Sequence, residues 1–347
     1  MARVKVLLTG ATGYIGGTVL STLLASQSHR IRDISITALV RRQEQADKLV
    51  SSRVTPLIFS GLDDLELLER VASEHEVVIH TASGFHTASA EALIAGLQKR
   101  STDSYYIHTS GTWNLAEASL ADLGAQVMEL TDNDNILKLE EELQAQWPFS
   151  QRATDLRVMS AAAGSWVKAY IIMPPDVYGF GTGMFAKTTP QIEDMARDAL
   201  KHGQAAYIRN KDGIVGYVHV ADLATLYVVL LDKLLDDDAA ASASEGIYFC
   251  SAGTHSWQET MGRIGEIGFR DSHLVSAVPK AVSINEAAER WSGGDVRDVR
   301  MGYCSRFITK PEKAMDLGWR PQKDQGDWLA WIDTSFQAAL KSQEKDK

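Results

Sequence analysis

Three glycines, Gly10, Gly13 and Gly16, stand between an apolar run and a helical pattern near the start of the chain. The run, residues 4–9, predicts a buried strand, and apolar side chains at helical spacing follow from Ile15. Glycine permits a tight turn and lets the backbone approach phosphate oxygens, whose charge then lies at a helix N-terminus. The strand, turn and helix together predict a site for the pyrophosphate of a dinucleotide.

The elements that must position this turn follow along the chain. Apolar, often β-branched runs predict further strands at residues 34–40, 54–59, 77–81, 104–109, 166–173 and 247–249. Helical patterns lie between them, including residues 65–73, 88–99 and 152–162. Continuously apolar strands that alternate with helices form parallel sheets covered on both faces. We therefore predict an α/β fold, a Rossmann-like doubly wound parallel sheet with a smaller, interleaved C-terminal substrate lobe.

The domain boundaries are predicted where this alternation stops. Residues 1–180 should form the dinucleotide-binding Rossmann-like domain, with a returning segment at about 214–252. Residues 181–213 and 253–335, with glycine-rich turns and scattered helices, should form the smaller substrate-binding lobe. Residues 336–347 are predicted to be a charged tail, and the aspartates from 236 to 238 with the Ala/Ser run after them a surface loop.

The composition excludes several classes of function. The chain has 347 residues and a net charge of −10, whereas a nucleic-acid-binding face needs clustered Lys and Arg. No apolar run reaches the roughly 18 residues of a membrane span, and a strand from residue 4 leaves no room for a signal peptide. Two cysteines, Cys250 and Cys304, form no disulfide framework, and no metal site is predicted. We expect a cytoplasmic monomer or homodimer with a small-molecule substrate.

Six blocks of the chain resemble, in family order, the extended and atypical short-chain dehydrogenase/reductases, the NAD-dependent epimerase/dehydratase-like superfamily. They are residues 9–16, 78–83, 108–112, 174–179, 218–224 and 314–321. The resemblance implies that NAD(P) lies along the carboxyl edge of the sheet, with the substrate between two lobes. It also implies cofactor contacts from the glycine turn and the later strand ends, namely Gly10, Thr12, Gly13, Tyr14, Ile15, Gly16, Leu62, Thr81, Ala82, Ser83, Thr109, Pro174 and Val177.

The end of the second strand predicts which dinucleotide binds. NAD-preferring members carry an acidic residue there, which holds the ribose 2′-hydroxyl. This chain has Arg41 and Arg42 instead, and two guanidinium groups suit the bidentate binding of a 2′-phosphate. NADP(H) is therefore favoured over NAD(H). The alternative is that the two arginines are a solvated basic pair at the start of the next helix.

The family's acid/base pair, a tyrosine followed four residues later by a lysine, is missing from the expected helix, which begins near residue 147. Arg152 lies at or beside the lysine position. It binds either the nicotinamide ribose or a substrate anion, or it pairs with Asp155. A literal match at residues 207–211 falls in a turn and is rejected.

Other residues are therefore candidates for catalysis. Ser110 and Thr112 lie just past a strand end, where the resemblance places the hydroxyl that polarises the substrate, although Ser-Gly after a strand is also ordinary turn chemistry. Tyr178 is either a proton donor near the nicotinamide or a structural residue. Arg306 lies where extended members often place a diphosphate-binding arginine.

The favoured function is an NADP(H)-dependent oxidoreductase that acts on a small carbonyl or alcohol without the Tyr-Lys pair. One alternative is a non-catalytic NADP(H)-binding redox sensor, since the proton shuttle is lost while the glycine turn is kept. The other is a non-redox isomerase, epimerase or lyase on the same fold.

Overall fold

A computed structural model describes residues 3–119, 127–236 and 246–345. Its strands are β1 (Lys5–Thr9), β2 (Ser35–Val40), β3 (Val54–Ile58), β4 (Val77–His80), β5 (Ser104–Thr109), β6 (Met128–Thr131), β7 (Val167–Met173), β8 (Asp176–Tyr178), β9 (Ala206–Ile208), β10 (Ile214–His219), β11 (Gly246–Phe249), β12 (Gly253–Ser256), β13 (Lys280–Val282) and β14 (Phe307–Lys310).

The α-helices are α1 (Tyr14–Ala25), α2 (His29–Arg32), α3 (Gln43–Leu49), α4 (Leu65–Ala72), α5 (Thr87–Gln98), α6 (Ile136–Gln146), α7 (Ser150–Ala162), α8 (Gln191–His202), α9 (Val220–Leu234), α10 (Trp257–Arg270), α11 (Ile284–Trp291), α12 (Val296–Val299), α13 (Glu312–Asp316) and α14 (Gln325–Lys345). A 3₁₀ helix (Thr112–Ser119) and a short π-helix (Arg300–Cys304) complete them.

The largest sheet has seven parallel strands in the order β11-β7-β5-β4-β1-β2-β3. Chain order reverses between β1 and β4, so this sheet has a topological switch point at the carboxyl end of β1. All seven predicted strands are present, and each joins this sheet. The predicted Rossmann-like α/β fold is confirmed.

Alternation along the strands distributes side chains to two cores. Val6 and Leu8 of β1 pack with residues of α1 and α9 on one face, and Leu7 packs with residues of α4 and α5 on the other. All three side chains have no solvent exposure. Because both faces of the sheet are covered, its strands are apolar along their whole length. The rigid sheet then fixes the glycine turn and the other strand ends at one edge.

The smaller lobe is built from α8, α10 and α14 around an aromatic core, with short sheets β12-β10-β8 and β13-β9. Residues 214–219 pair within the first of these short sheets, whereas α9 and β11 return to the large sheet. In the described ranges, no helix is long and apolar enough to cross a membrane.

The charged tail predicted from residue 336 is wrong for residues 336–345, which are the last turns of α14. Phe336 and Ala339 of these turns are fully buried against the smaller lobe, because the helix has an apolar side within a polar sequence. The loop predicted after residue 236 falls on 237–245, outside the described residues.

Candidate nucleotide site and adjoining cleft

The glycine turn joins β1 to α1 and is held in one shape by close packing. Gly10 has a φ of +75°, a left-handed conformation that glycine adopts without strain. The Gly13 N–H donates to the Gly10 carbonyl at 2.8 Å. A Cβ on Gly16 would lie 2.3 Å from the Gly10 carbonyl oxygen and 2.2 Å from the Thr81 hydroxyl. Position 16 therefore accepts no side chain unless the turn shifts.

The start of α1 is suited to an anion. The helix begins at Tyr14 with Gly13 as its N-cap, and none of the described side chains caps it or places an acid in its first turn. The first N–H groups of a helix lack intrahelical acceptors and lie at the positive end of the helix dipole. Backbone N–H groups at a glycine turn are the usual donors to phosphate.

A cavity of about 270 Å³, here called the nucleotide cavity, lies between this turn and the end of β2. Leu39 and Phe59 give it apolar walls. It thus combines a phosphate-binding turn, a cation and apolar surface, which together fit a nucleotide. Seven of the predicted cofactor residues line it: Gly10, Thr12, Gly13, Arg41, Leu62, Thr81 and Ala82.

The two arginines after β2 have different surroundings. Arg41 lines the nucleotide cavity. Arg42 is the N-cap residue of α3, and its guanidinium forms an exposed ion pair with Glu44 at 3.3 Å. The two arginines were predicted to bind one phosphate together. In this conformation Arg41 is the one of the two that lines the cavity, and Arg42 matches the alternative of a solvated basic residue.

A second cavity of about 640 Å³, here called the interlobe cleft, lies between the strand ends and the smaller lobe. Three predicted cofactor residues, Tyr14, Ile15 and Val177, line it, so the cleft adjoins the glycine turn. The other side chains that give the cleft its chemical character were not predicted as site residues: Trp113, Asp176, Asp194, Asp198, Arg290, Trp291 and Tyr303.

Two of the remaining predicted cofactor residues, Thr109 and Pro174, have hydrogen-bond partners within the protein. The Thr109 hydroxyl is 2.6 Å from the Tyr227 phenol in the core. The Pro174 carbonyl accepts the Thr112 N–H at 3.0 Å, which fixes the start of the 3₁₀ helix. These contacts support the walls. Four predicted residues besides Arg42 line neither cavity: Gly16, Ser83, Thr109 and Pro174.

Ser110 belongs to a buried polar cluster rather than to the wall of the cleft. Its hydroxyl donates to Asp155 of α7. The Asn114 amide donates to Asp155 at 2.7 Å and to Glu140 of α6 at 2.8 Å. Burial raises the pKa of Asp155 and of Glu140, so this pair retains a proton near neutral pH. The Ser110 proton is therefore directed at Asp155, whereas the prediction assigned it to a substrate.

Arg152 contacts neither of its predicted partners. The side chain is fully buried and donates to the Asn114 carbonyl at 2.9 Å and to Glu117 at 3.0 Å. A third donor reaches the Trp147 carbonyl at 2.9 Å. A ribose or substrate anion cannot reach this guanidinium, and the carboxylate that it pairs with is Glu117, not Asp155.

Tyr178 has the surroundings of a structural residue, which is one of the two roles predicted for it. Its ring packs edge-on against Trp328 and Tyr217 in the core of the smaller lobe, with centroids 5.2 Å and 5.6 Å away. Its hydroxyl donates to the Asp324 carbonyl at 3.4 Å. Burial raises the pKa of Tyr178. The phenol therefore belongs to a packed core, which favours the structural alternative over the proton donor.

Residues from later in the chain bring further polar groups to the cleft. Tyr303, on the π-helix, lines it, and its hydroxyl has no hydrogen-bond partner among the described residues. Asp194 and Asp198 share one face of α8 with Gln191. The spacing of the two aspartates on α8 is a sequence signal that could have identified them. Tyr303 has no such signal, because a π-helix carries no sequence pattern. π-Helices nevertheless occur frequently at functional sites. No group of three or more described His, Cys, Asp or Glu side chains is arranged to hold a metal.

A Rossmann-like sheet, a glycine turn at its switch point and a cleft beside it define a dinucleotide-binding α/β protein. Residues 6–241 match the NAD dependent epimerase/dehydratase family, and the chain belongs to this family.

Its relatives include oxidase ucsJ from Acremonium, 26% identical over 91% of this chain and 92% of that one. Gre2 from Candida albicans, solved with NADPH, has a TM-score of 0.61 at 15% identity, covering 97% of this chain and 99% of that one. UDP-glucose 4-epimerase from Thermotoga maritima, solved with UDP-glucose, has a TM-score of 0.61 at 14% identity and the same coverage. The solved structures establish the fold.

Proposed function

We propose that the protein is an NADP(H)-dependent oxidoreductase that acts on a small carbonyl or alcohol without a Tyr-Lys pair. The observation that carries the proposal is Arg41 on the wall of the nucleotide cavity, at the end of a strand that bears no carboxylate. An NAD site needs an acceptor there for the ribose 2′-hydroxyl, whereas a cation suits the 2′-phosphate of NADP.

The residues present fit the whole cofactor. The N–H groups at the start of α1 would hold the pyrophosphate, and Arg41 the 2′-phosphate. Leu62 and Phe59 would cover the adenine, while Ile15 and Val177 would hold the nicotinamide at the entrance to the interlobe cleft. When bound, the cofactor supplies or accepts the hydride.

In the reductive direction a C–H bond forms at the carbonyl carbon, the π electrons of the C=O bond move to oxygen, and that oxygen needs a proton. Ser110 is directed at Asp155, so we assign the oxygen contact to Tyr303. Burial, with added effects of nearby carboxylates, raises the pKa of Tyr303, and its hydroxyl stays protonated at neutral pH. It can therefore donate a hydrogen bond to the carbonyl oxygen and pass its proton to that oxygen as the more basic alkoxide forms, with water in the cleft returning a proton to the phenolate.

The cofactor assignment is tested by titrating the purified chain with NADPH and NADH. We expect Arg41→Ala to weaken NADPH binding about 10- to 100-fold, the value of a lost charge-assisted hydrogen bond, and to leave NADH binding nearly unchanged. Arg42→Ala is the matched control and should change both affinities by less than about threefold, since exposed ion pairs contribute little. Equal affinities of the wild type for NADPH and NADH would contradict the assignment to NADP(H).

Catalysis is tested by following NADPH absorbance with a panel of aldehydes and ketones. For any active substrate, Tyr303→Phe should lower kcat about 100-fold or more while the Kd for NADPH stays constant, because positioned proton donors contribute about 10²–10⁴. If the absorbance stays flat over the panel although NADPH binds tightly, and NADP⁺ binds equally well, the redox-sensor alternative replaces the enzyme. An unchanged kcat in Tyr303→Phe would refute the role of Tyr303.

A further inference from the structure

Three aromatic side chains form one continuous wall of the interlobe cleft. The Tyr303 and Trp291 rings have centroids 5.0 Å apart. The Trp113 ring lies on the backbone next to Tyr303, since a Cβ on Gly302 would be 3.0 Å from that indole. The 3₁₀ helix, α11 and the π-helix each contribute one ring to the wall. Such a wall favours a flat, aromatic ligand, for which ring contacts add about 0.5–1.5 kcal/mol beyond burial.

The charged groups on the cleft are mainly carboxylates. Asp176, Asp194 and Asp198 line it, and the single lining cation in the described chain is Arg290. Arg290 is already paired with Asp198, at 3.1 Å from Nε, and also approaches Glu286. The cleft therefore offers no free cation among its described lining residues.

Asp176 is the carboxylate best placed to meet a ligand. Its side chain is only 8% exposed, so it is held in a largely dry wall. One oxygen is 3.1 Å from His255 Nε2, and the other has no hydrogen-bond partner among the described residues. Because Asp176 lines the cleft, this second oxygen can accept a hydrogen bond from a ligand or from water there. Asp194 pairs with Arg197 at the surface, where both side chains are about half exposed.

The same charges disfavour a sugar nucleotide. A diphosphate placed in the cleft would face three carboxylates without a free cation. Arg306, the predicted diphosphate ligand, does not line the cleft, and its backbone pairs with Ile214 and donates to Ser119. The same carboxylates act on Tyr303. Burial raises the pKa of Tyr303, and the negative charges of Asp176, Asp194 and Asp198 raise that pKa further.

We propose that the interlobe cleft binds a small aromatic carbonyl compound or alcohol that also carries a protonated amine, with its ring against Trp113, Trp291 and Tyr303 and its ammonium group at Asp176. The proposal names the substrate class of the oxidoreductase and rests on that proposed function only for the claim that the bound molecule reacts. The binding itself follows from the wall and the charges. Cation–π contact and a charge-assisted hydrogen bond both favour the ammonium form.

The test measures binding, by calorimetry and ligand-observed NMR, to the full chain with and without NADP⁺. The probes are tryptamine, its neutral analogue tryptophol, anionic indolepropionate and UDP-glucose. We expect tryptamine to bind about tenfold or more tightly than tryptophol, with a preference that declines at high salt, as for a charge-assisted contact. Asp176→Asn should abolish this preference and leave tryptophol binding unchanged. Asp103→Asn is the control and should keep the preference for tryptamine. Asp103 is an exposed carboxylate just before the N-terminal end of β5, at the edge of the sheet opposite the strand carboxyl ends.

Absence of tryptamine binding, equal or tighter binding of tryptophol or indolepropionate, or tighter binding of UDP-glucose would overturn the proposal. If Asp176→Asn does not fold, the salt dependence of the wild type decides: the proposal requires a tryptamine preference that weakens at high salt. The outcomes are separable from the proposed function. If NADPH binding or turnover is absent while the amine preference is intact, the oxidoreductase function is refuted and this proposal stands. If turnover occurs without the amine preference, only this proposal is refuted.

Discussion

Substituting Gly16 by alanine tests whether the glycine turn binds phosphate through its exact shape. The new Cβ would lie 2.3 Å from the Gly10 carbonyl oxygen, and real Cβ atoms keep at least 3.0 Å, so the contact must open by about 0.7 Å. The second obstacle, the Thr81 hydroxyl, is fixed by its bond to the Thr9 carbonyl at 2.7 Å. The turn itself must therefore move.

This shift should have two measurable effects. Overpacking of this kind costs about 1–3 kcal/mol, which urea unfolding detects. The loss of one or two phosphate hydrogen bonds, at about 1.5 kcal/mol each, should weaken NADPH binding about 10- to 100-fold. Adenosine, which has no pyrophosphate, should bind nearly as well as to the wild type, because its contacts lie at the other end of the nucleotide cavity.

Gly262→Ala is the matched control. Apart from its chain neighbours and the backbone of its own helix, no atom of the described residues lies within 4 Å of a Cβ built on Gly262, which is inside α10. Alanine should stabilise that helix by up to about 1 kcal/mol and leave NADPH binding unchanged. If folded Gly16→Ala binds NADPH as tightly as Gly262→Ala does, the pyrophosphate does not depend on this turn, and the assignment of the nucleotide cavity is refuted.

Two further predictions concern the buried polar cluster. Because burial raises the native pKa of Asp155, the native state keeps a proton that the unfolded chain loses above about pH 4, so this group makes stability fall with rising pH. Asp155→Asn should flatten that slope by up to about 1.4 kcal/mol per pH unit in urea unfolding, and parallel slopes would contradict the assignment. Arg152→Met should cost about 1.5–3 kcal/mol of stability, since it removes buried charge-assisted hydrogen bonds to the Asn114 and Trp147 carbonyls and to one oxygen of Glu117, whose other oxygen keeps Arg297. NADPH affinity should be unchanged in the folded protein; a loss of affinity would show that Arg152 acts on the cofactor.

The sheet was predictable because its signals are local. Each of the seven strands is a short apolar run, and the glycine turn needs only its immediate neighbours. β6 was missed because it is partly polar and pairs with β14, about 180 residues away in the sequence. The last turns of α14 were missed because charged residues near the end of the chain concealed Phe336 and Ala339.

The candidate site shows the same difference between residues with local sequence signals and residues brought together from distant segments. Residues predicted for the nucleotide come from single strand ends, and most of them line a cavity. Arg152 was misassigned because its partner, Glu117, lies on another element and the two share no sequence pattern. The cleft combines distant segments, and nothing local to Trp113, Trp291 or Tyr303 indicates that their side chains meet.

The buried cluster explains why the proton donor should come from the smaller lobe. In the position where the family carries its acid/base pair, α7 has Arg152 and then Asp155, and both are fully buried among partners. Neither can approach a substrate without unfolding that corner, and Ser110 is bound to the same cluster. A hydroxyl for the substrate oxygen must then be presented from across the cleft, and Tyr303 is the lining tyrosine whose hydroxyl is uncommitted, since Tyr14 donates to the Gly179 carbonyl. We therefore propose that Tyr303 on the π-helix takes the place of the missing pair as the group that contacts the substrate oxygen.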